Sequence, residues 1–216
     1  MKFKLPRHEI SKQLVAFSYK AIKRSGEDVP RLSKDKLTQL DAVSRKIRRE
    51  GLPKHLVLKK LKGKLGHGIF LHPKASPIAK GEVIAAYAGE VSLLPQNEGD
   101  NSDYVFSLIS DLRLTRKEQQ LFDPKRGFHP RRLYSLDLDA HKKGNFTRFI
   151  NHSSKPNIEA HMLRTPLHSC EIIYIAKKTI RPGEQLLTCY EGDDNSYWGA
   201  LKIKPFPMTP QTFQIS

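Results

Sequence analysis

Residues 148–157 read Arg148-Phe149-Ile150-Asn151-His152-Ser153-Ser154-Lys155-Pro156-Asn157, and the reading of this stretch decides the fold. It is too polar for a core strand and too rich in aromatic and aliphatic residues for an ordinary surface loop. Asn151 and His152 stand side by side at its centre, and Pro156-Asn157 closes it with a sharp turn signal. Core chemistry and site chemistry mixed this densely read as backbone threaded through a binding site.

Outward from this stretch, short apolar runs alternate with Gly and Pro on both sides. They are His55–Leu61, Ile69–Leu71, Val83–Ala88, Tyr104–Leu108, Leu133–Asp137, Ile158–Leu163, Glu171–Ala176 and Leu186–Tyr190. Many short strands with turn signals between them predict a β-rich domain. The polar stretch Ser110–Arg132 interrupts them. Its first part, Asp111 to Phe122, reads as a short helix that Asp123-Pro124 stops.

Before residue 52 the periodicity is helical. A first helix is expected from about Arg7 to Arg24, with Ile10, Leu14, Phe17 and Ala21 on one stripe and Pro6 near its start. Ser25-Gly26 ends it. A second runs from a Ser33 cap to about Glu50, with Leu37, Leu40, Val43 or Ser44, and Ile47 on one face. Gly51 and Pro53 follow in the order that stops a helix. Arg45, Lys46, Arg48 and Arg49 fall on the opposite face. The chain is therefore expected to be mainly β with a helical N-terminal segment.

One internal echo stands out. Pro77-Ile78-Ala79-Lys80-Gly81-Glu82 leads through a strand to Tyr87-Ala88-Gly89, and Thr179-Ile180-Arg181-Pro182-Gly183-Glu184 leads through a strand to Tyr190-Glu191-Gly192. Glycine supplies the positive φ of each turn. Local physics does not say why each strand ends in a tyrosine, and two copies do not make a solenoid repeat.

Composition sets the class. The 216 residues are 38% hydrophobic and 28% charged, which fits a soluble globular chain of one large domain or one domain with a small companion. No apolar run approaches a membrane span, and the charged N-terminus lacks the apolar block of a secretory signal. The two cysteines, Cys170 and Cys189, argue against a disulfide framework or a Cys-rich zinc cluster and read as small buried hydrophobes. The formal charge of +16 is uneven: residues 1–64 hold 19 Lys+Arg against 6 Asp+Glu, leaving 19 against 16 for residues 65–216. A basic excess of +13 in the first 64 residues suits an anionic partner or simply a solvated helical face. No aromatic residues interleave these charges as a single-strand nucleic-acid binder would want.

Four motifs follow one another in order: Gly66-His67-Gly68, Tyr87-Ala88-Gly89, the Arg148–Asn157 stretch, and Gly183-Glu184-Gln185-Leu186 leading to Tyr190. Taken alone, Gly66-His67-Gly68 is either a glycine hairpin or a loop whose N–H groups close on an anion such as a carboxylate. In this order and spacing the set resembles the SET-domain protein lysine methyltransferases, over roughly residues 56–198. In overall size the chain looks most like the small stand-alone SET proteins of chlamydiae.

The resemblance implies a SET fold, with small twisted β-sheets and a C-terminal pseudoknot in which the Arg148–Asn157 stretch and the last motif cross. Beside the basic helical segment at 1–55 that charge and periodicity predict, it implies a catalytic domain at 56–196 and a tail at 197–216 that closes the active site. It also implies methyl transfer from S-adenosylmethionine to a lysine, with no metal. Tyr190 matches the catalytic tyrosine. Tyr87 and Tyr104 match walls of the lysine channel, Tyr104 being equally readable as an ordinary strand residue. Asn151 and His152 match the cofactor-binding pair, and Gly66, His67 and Gly68 the loop around the cofactor's methionine end. Arg148 either contacts the cofactor or fixes the loop. Trp198 covers the adenine, closes the channel or simply packs. Two positions depart from the family pattern. Cys189 replaces the acidic residue beside the tyrosine, and Thr188 stands where Phe or Tyr is common. The smaller Thr188 leaves room for a larger amine, which favours multiple methylation.

The implied substrate is a lysine-rich protein, a histone or a bacterial histone-like protein. The basic N-terminus would touch the accompanying DNA, and a homodimer is left open. A reducing, intracellular setting is expected (cytoplasm or nucleoid, or a host nucleus after specialised secretion), with no membrane partner. The competing readings are a non-catalytic SET-fold binding module brought to chromatin or DNA by its basic N-terminus, and a nucleic-acid-compacting protein.

Overall fold

Helix α1, Lys34–Glu50, begins and ends where its sequence says it should. The Ser33 hydroxyl accepts from the Lys36 N–H at 3.3 Å, and the Gly51 N–H closes the last turn on the Ile47 carbonyl at 2.8 Å. The computed structural model describes residues 16–18, 20–24, 29–62, 66–98, 104–164 and 170–190. The remainder of the first expected helix, the tail at 197–216 and Trp198 lie outside the described residues. Within that first helix, Phe17 and Ala21 are buried, as their stripe requires.

The strands are β1 Leu56–Lys60, β2 His67–Leu71, β3 Val83–Ala86, β4 Glu90–Pro95, β5 Val105–Arg113, β6 Leu133–Asp139, β7 Asn151–His152, β8 Ile158–Arg164, β9 Cys170–Ala176 and β10 Leu187–Thr188. Among the described residues they form four small sheets: β1-β2, β10-β7, β3-β9-β8 and β4-β6-β5. The fold is thus mostly β with a few helices, as the strand-and-turn pattern predicts.

The chain divides into two compact units. One comprises Met1–Arg31, Ala88–Gly144 and Arg164–Cys170. It holds the antiparallel β4-β6-β5 sheet and helix α2, Arg116–Phe122. Here the expected Asp111–Phe122 helix is corrected. β5 runs on to Arg113, and the helix starts only after Thr115. Register shifts on either side of Ile109 let β5 keep Leu112 buried while Asp111 stays exposed. Thr115 and Glu118 form a reciprocal capping box that sets the helix start. β4 was not expected either, because its half-buried, uneven pattern lacks clean alternation. After α2, the buried Asp123 binds Arg126 at 2.8 Å and the Tyr134 hydroxyl at 3.0 Å, tying the following loop to β6.

The other unit comprises Leu32–Tyr87, Asn145–Leu163 and Glu171–Ser216. Leu32 and Leu40 pack with Val83 and Ile173, so the apolar face of α1 closes one side of the β3-β9-β8 sheet. Gln39 of α1 also accepts from the Val83 N–H at 3.0 Å. The two echo segments meet here. Ile78 and Ile180 exchange both backbone hydrogen bonds, at 3.0 and 2.9 Å. Gly81 and Gly183 share φ +84°. Glu82 and Glu184 each accept from the backbone N–H three residues earlier, on Ala79 at 3.1 Å and Arg181 at 3.0 Å. The repeated turn is one local solution used twice and paired to itself.

Candidate active site

The last motif lies between β2 and the Arg148–Asn157 stretch. On one side Leu186 N–H donates to Ile69 at 2.8 Å, Leu71 N–H to Glu184 at 2.9 Å, and Gly183 N–H to Leu71 at 2.9 Å. On the other, β10 runs parallel to β7, with Leu187 opposite Asn151 and Thr188 opposite His152. Two strands this short contribute little by themselves. Asn157 supplies what the ladder lacks. Its side chain donates to the Gln185 carbonyl and accepts from the Leu187 N–H, both at 2.8 Å. Its backbone N–H donates to Leu187 at 3.0 Å, and its carbonyl accepts from Lys177 at 2.9 Å. The turn-signal asparagine is therefore a buried clamp between the two motifs.

This pairing brings four of the expected residues together. The Asn151 side-chain amide donates to the His67 carbonyl at 2.8 Å. The His67 ring sits edge-on to Phe149 at 5.8 Å. The His152 ring, almost buried, lies 5.5 Å from the Tyr190 ring and accepts the Tyr190 N–H on Nδ1 at 3.1 Å. An accepting Nδ1 carries no proton, so this bond selects the imidazole form. The Tyr190 hydroxyl donates to the Ile150 carbonyl at 2.8 Å, while 44% of the residue remains exposed. Arg148, in the 3-10 turn Phe146–Phe149, lays its guanidinium 5.2 Å over the Phe149 ring.

The glycine loop works differently from a simple anion cradle. Gly66 takes φ +65° and accepts from the Leu61 N–H at 2.8 Å. A Cβ at Gly68 would stand 2.6 Å from Gln185 Nε2, 3.2 Å from Leu61 and 3.3 Å from Asn151 Nδ2. Gly68 is thus small because two side-chain amides occupy the space beside it.

Tyr87 closes β3 on β9 through its N–H to Ile172 at 2.7 Å. Its ring stands edge-on to Tyr174 at 6.2 Å. Tyr174 was not anticipated: Ile172-Ile173-Tyr174-Ile175 reads as an ordinary buried strand, and the lone aromatic in that run was its one signal. Burial, then the neighbouring Tyr190 and Tyr87, push the Tyr174 phenol far above its usual range, so it stays a neutral donor. Among the described residues, the phenols of Tyr87, Tyr174 and Tyr190 therefore belong to this unit. Tyr104 belongs to the other unit, where its carbonyl accepts from Ala140 at 3.0 Å and its ring lies 6.0 Å from His141. Cys189 is half-buried rather than buried, and Thr188 is 1% exposed.

The arrangement can hold a polar ligand against Gly66, Gly68 and Asn151, with an aromatic phenol at Tyr190. The sequence pattern of the SET domain matches residues 74–191, more than half of the chain. A histone-lysine N-methyltransferase, H3 lysine-4 specific, of Schizosaccharomyces pombe is 33% identical over 116 residues, covering 53% of this chain and 11% of that protein. Histone-lysine N-methyltransferase set-2 of Caenorhabditis elegans is 32% identical over 129 residues, 58% of this chain and 7% of that protein. The chain thus spans only a small part of the length of these relatives. Among solved structures, the ATXR5 SET domain in complex with a dimethylated histone H3 superposes with TM-score 0.57 at 21% identity, covering 78% of this chain and 72% of that one. At that identity the likeness establishes the fold.

Proposed function

The chain belongs to the SET domain family, and from that premise we propose that it is an S-adenosylmethionine-dependent protein lysine N-methyltransferase. The observation that carries this reading is the β7–β10 pairing, which sets Asn151 and His152 against the last motif, with the Tyr190 N–H on His152 Nδ1 at 3.1 Å. The donor set suits the cofactor. The Asn151 amide, the Gly66–Gly68 loop and the Arg148 guanidinium can hold amino-acid and adenine groups, and the space beside Gly68 is lined by amides rather than hydrocarbon alone. S-adenosylmethionine supplies, when bound, an electrophilic methyl on a sulfonium.

The protein's share is to hold a lysine amine in line and unprotonated. Such positioning is worth up to roughly 7–11 kcal/mol. A lysine entering between aromatic walls loses solvent and meets the sulfonium's positive charge, and both lower its pKa. Tyr190, with Tyr87 as a further wall, offers aromatic faces to the alkyl chain and phenol oxygens to the methyl hydrogens. Trp198 and the tail at 197–216 are assigned to covering the site. At Thr188 a small side chain leaves room for more than one methyl group.

The substrate class we assign is a histone or histone-like protein, supported by the histone-directed names of the relatives. Residues 1–55 are assigned as a docking segment toward nucleic acid. Arg45, Lys46, Arg48 and Arg49 are exposed on α1, opposite its packed face. The Cys189 and Thr188 departures leave one competing reading standing, a SET-fold binding module without turnover, against which the intact Asn151, His152 and Tyr190 argue.

Labelled S-adenosylmethionine, offered to the full chain with histones and histone-like proteins, tests the proposal. Label on protein lysine that disappears in Tyr190→Phe supports the enzyme. Partner binding with no label in either protein supports the module. Absence of cofactor binding overturns the methyltransferase reading.

A further inference from the structure

Gln185 is wholly buried, and neither atom of its carboxamide has a hydrogen-bond partner among the described residues. Buried primary amides are normally satisfied, because leaving one unpaired costs stability that an apolar side chain of equal size would not. Its backbone explains why the side chain points where it does. The carbonyl is held by Asn157 at 2.8 Å, and the residue bridges Phe70. With its backbone pinned between two motifs, the side chain ends against Gly68, where Nε2 lies 2.6 Å from the point a Cβ would occupy. Asn151 Nδ2 is 3.3 Å from that same point while it donates to the His67 carbonyl. The Asn151 and Gln185 amides thus flank Gly68 together, and of the two only that of Asn151 is hydrogen-bonded among the described residues.

We propose that Gln185 is a positioning residue of the ligand site, its carboxamide taking up hydrogen bonds when a ligand enters beside Gly68 and Asn151. The inference rests on the methyltransferase reading for the identity of that ligand. An amide suits the task because it donates from one atom and accepts on the other, and a half-turn exchanges them. When Asn151 turns from the His67 carbonyl to a ligand, Gln185 can offer either partner to the loop it leaves. The unpaired Gln185 amide carries the cost, and binding removes it.

The test measures stability and affinity together on the full chain: thermal unfolding without ligand, and calorimetric titration with S-adenosylhomocysteine. Gln185→Met keeps the volume and removes both polar atoms. It is expected to melt about 2–6 °C higher than the wild type and to bind roughly five- to tenfold more weakly. A purely structural glutamine would not move the two quantities in opposite directions. If Gln185→Met does not fold, Gln185→Glu decides, since it keeps the shape and loses the donor; at least fivefold weaker binding is expected without a gain in melting temperature. Affinity within about twofold of wild type in a folded variant overturns the inference and leaves the enzyme reading standing. A wild type that does not bind S-adenosylhomocysteine overturns both.

Discussion

Tyr190 is fastened to the Arg148–Asn157 stretch at both ends, its hydroxyl donating to the Ile150 carbonyl at 2.8 Å and its N–H to His152 Nδ1 at 3.1 Å. The hydroxyl bond aims the phenol, and the backbone bond sets its base. Tyr190→Phe keeps the ring and loses the aim. Methyl transfer is expected to fall by at least about a hundredfold, as misplacement of a reacting group commonly costs. Stability should drop by only about 1 kcal/mol, one hydrogen bond in a part-exposed setting. Single-turnover assays beside urea unfolding separate the two.

Asn157 holds the two motifs together, so its truncation should be among the costliest in the chain. Asn157→Ala leaves the Gln185 carbonyl and the Leu187 N–H without their side-chain partner. A loss of about 2–4 kcal/mol in urea unfolding is expected. Asn157→Asp keeps the acceptor and should recover part of it. A loss below about 0.5 kcal/mol would show that the short β7–β10 ladder stands without its clamp.

Thr188 is buried and its Oγ1 has no partner among the described residues. Thr188→Val should therefore raise stability by about 1 kcal/mol. A decrease would mean that the hydroxyl is satisfied in solution by water or by a ligand. The same variant should leave the number of methyl groups added unchanged, since its bulk is nearly the same, whereas Thr188→Tyr should reduce it; mass spectrometry of the product counts them.

Gly68→Ala places a methyl 2.6 Å from the end of the Gln185 side chain. A cost of about 1–3 kcal/mol is expected, together with weaker cofactor binding. Because the obstruction is the Gln185 side chain rather than backbone, Gly68→Ala with Gln185→Ala should cost less than the sum of the single changes. A double-mutant cycle that came out additive would remove Gln185 as the obstruction.

Glu118 gives the other unit an acid-sensitive cap. Burial acts to raise its pKa, but the Arg24 guanidinium at 3.0 Å and the Thr115 N–H at 2.7 Å outweigh it and hold the carboxyl below its usual range. A folded pKa below the unfolded one stabilises above the ordinary carboxylate range, about pH 4.3, and that stabilisation is lost as pH falls through the lowered value. The stability difference between wild type and Glu118→Gln should be constant near neutrality and shrink below about pH 4. Thr115→Ala should cost about 1 kcal/mol at pH 7.

Local chemistry was legible along much of the chain. Helix α1 starts at Ser33 and stops at Gly51, where capping chemistry puts its ends. The two Gly-Glu turns have the positive φ that their glycines announce. Reading was poorest where the pattern had no period. β5 carries register shifts, so its Leu112 continued a strand through a stretch too polar to suggest one. Tyr174 and Gln185 gave no sign of their roles, because an aromatic in an apolar strand and a glutamine after a turn are unremarkable in sequence.

By itself the sequence determined the β-rich class, the turn and cap positions, and the identity of Asn151, His152 and Tyr190 as one constellation. The class and the turn and cap positions rest on periodicity and backbone preference, readable within a few residues, and the constellation rests on the order of motifs that carries the family resemblance. Tertiary structure alone decided which groups meet. It placed Ile78 opposite Ile180, put the Gln185 amide in the space Gly68 leaves free, and made Asn157 a clamp. It also assigned Tyr104 to a unit other than the one holding Tyr87, Tyr174 and Tyr190. Pairings across dozens of residues depend on strand register and on which buried polar atoms find partners, and neither is set by the local preferences that a linear sequence displays.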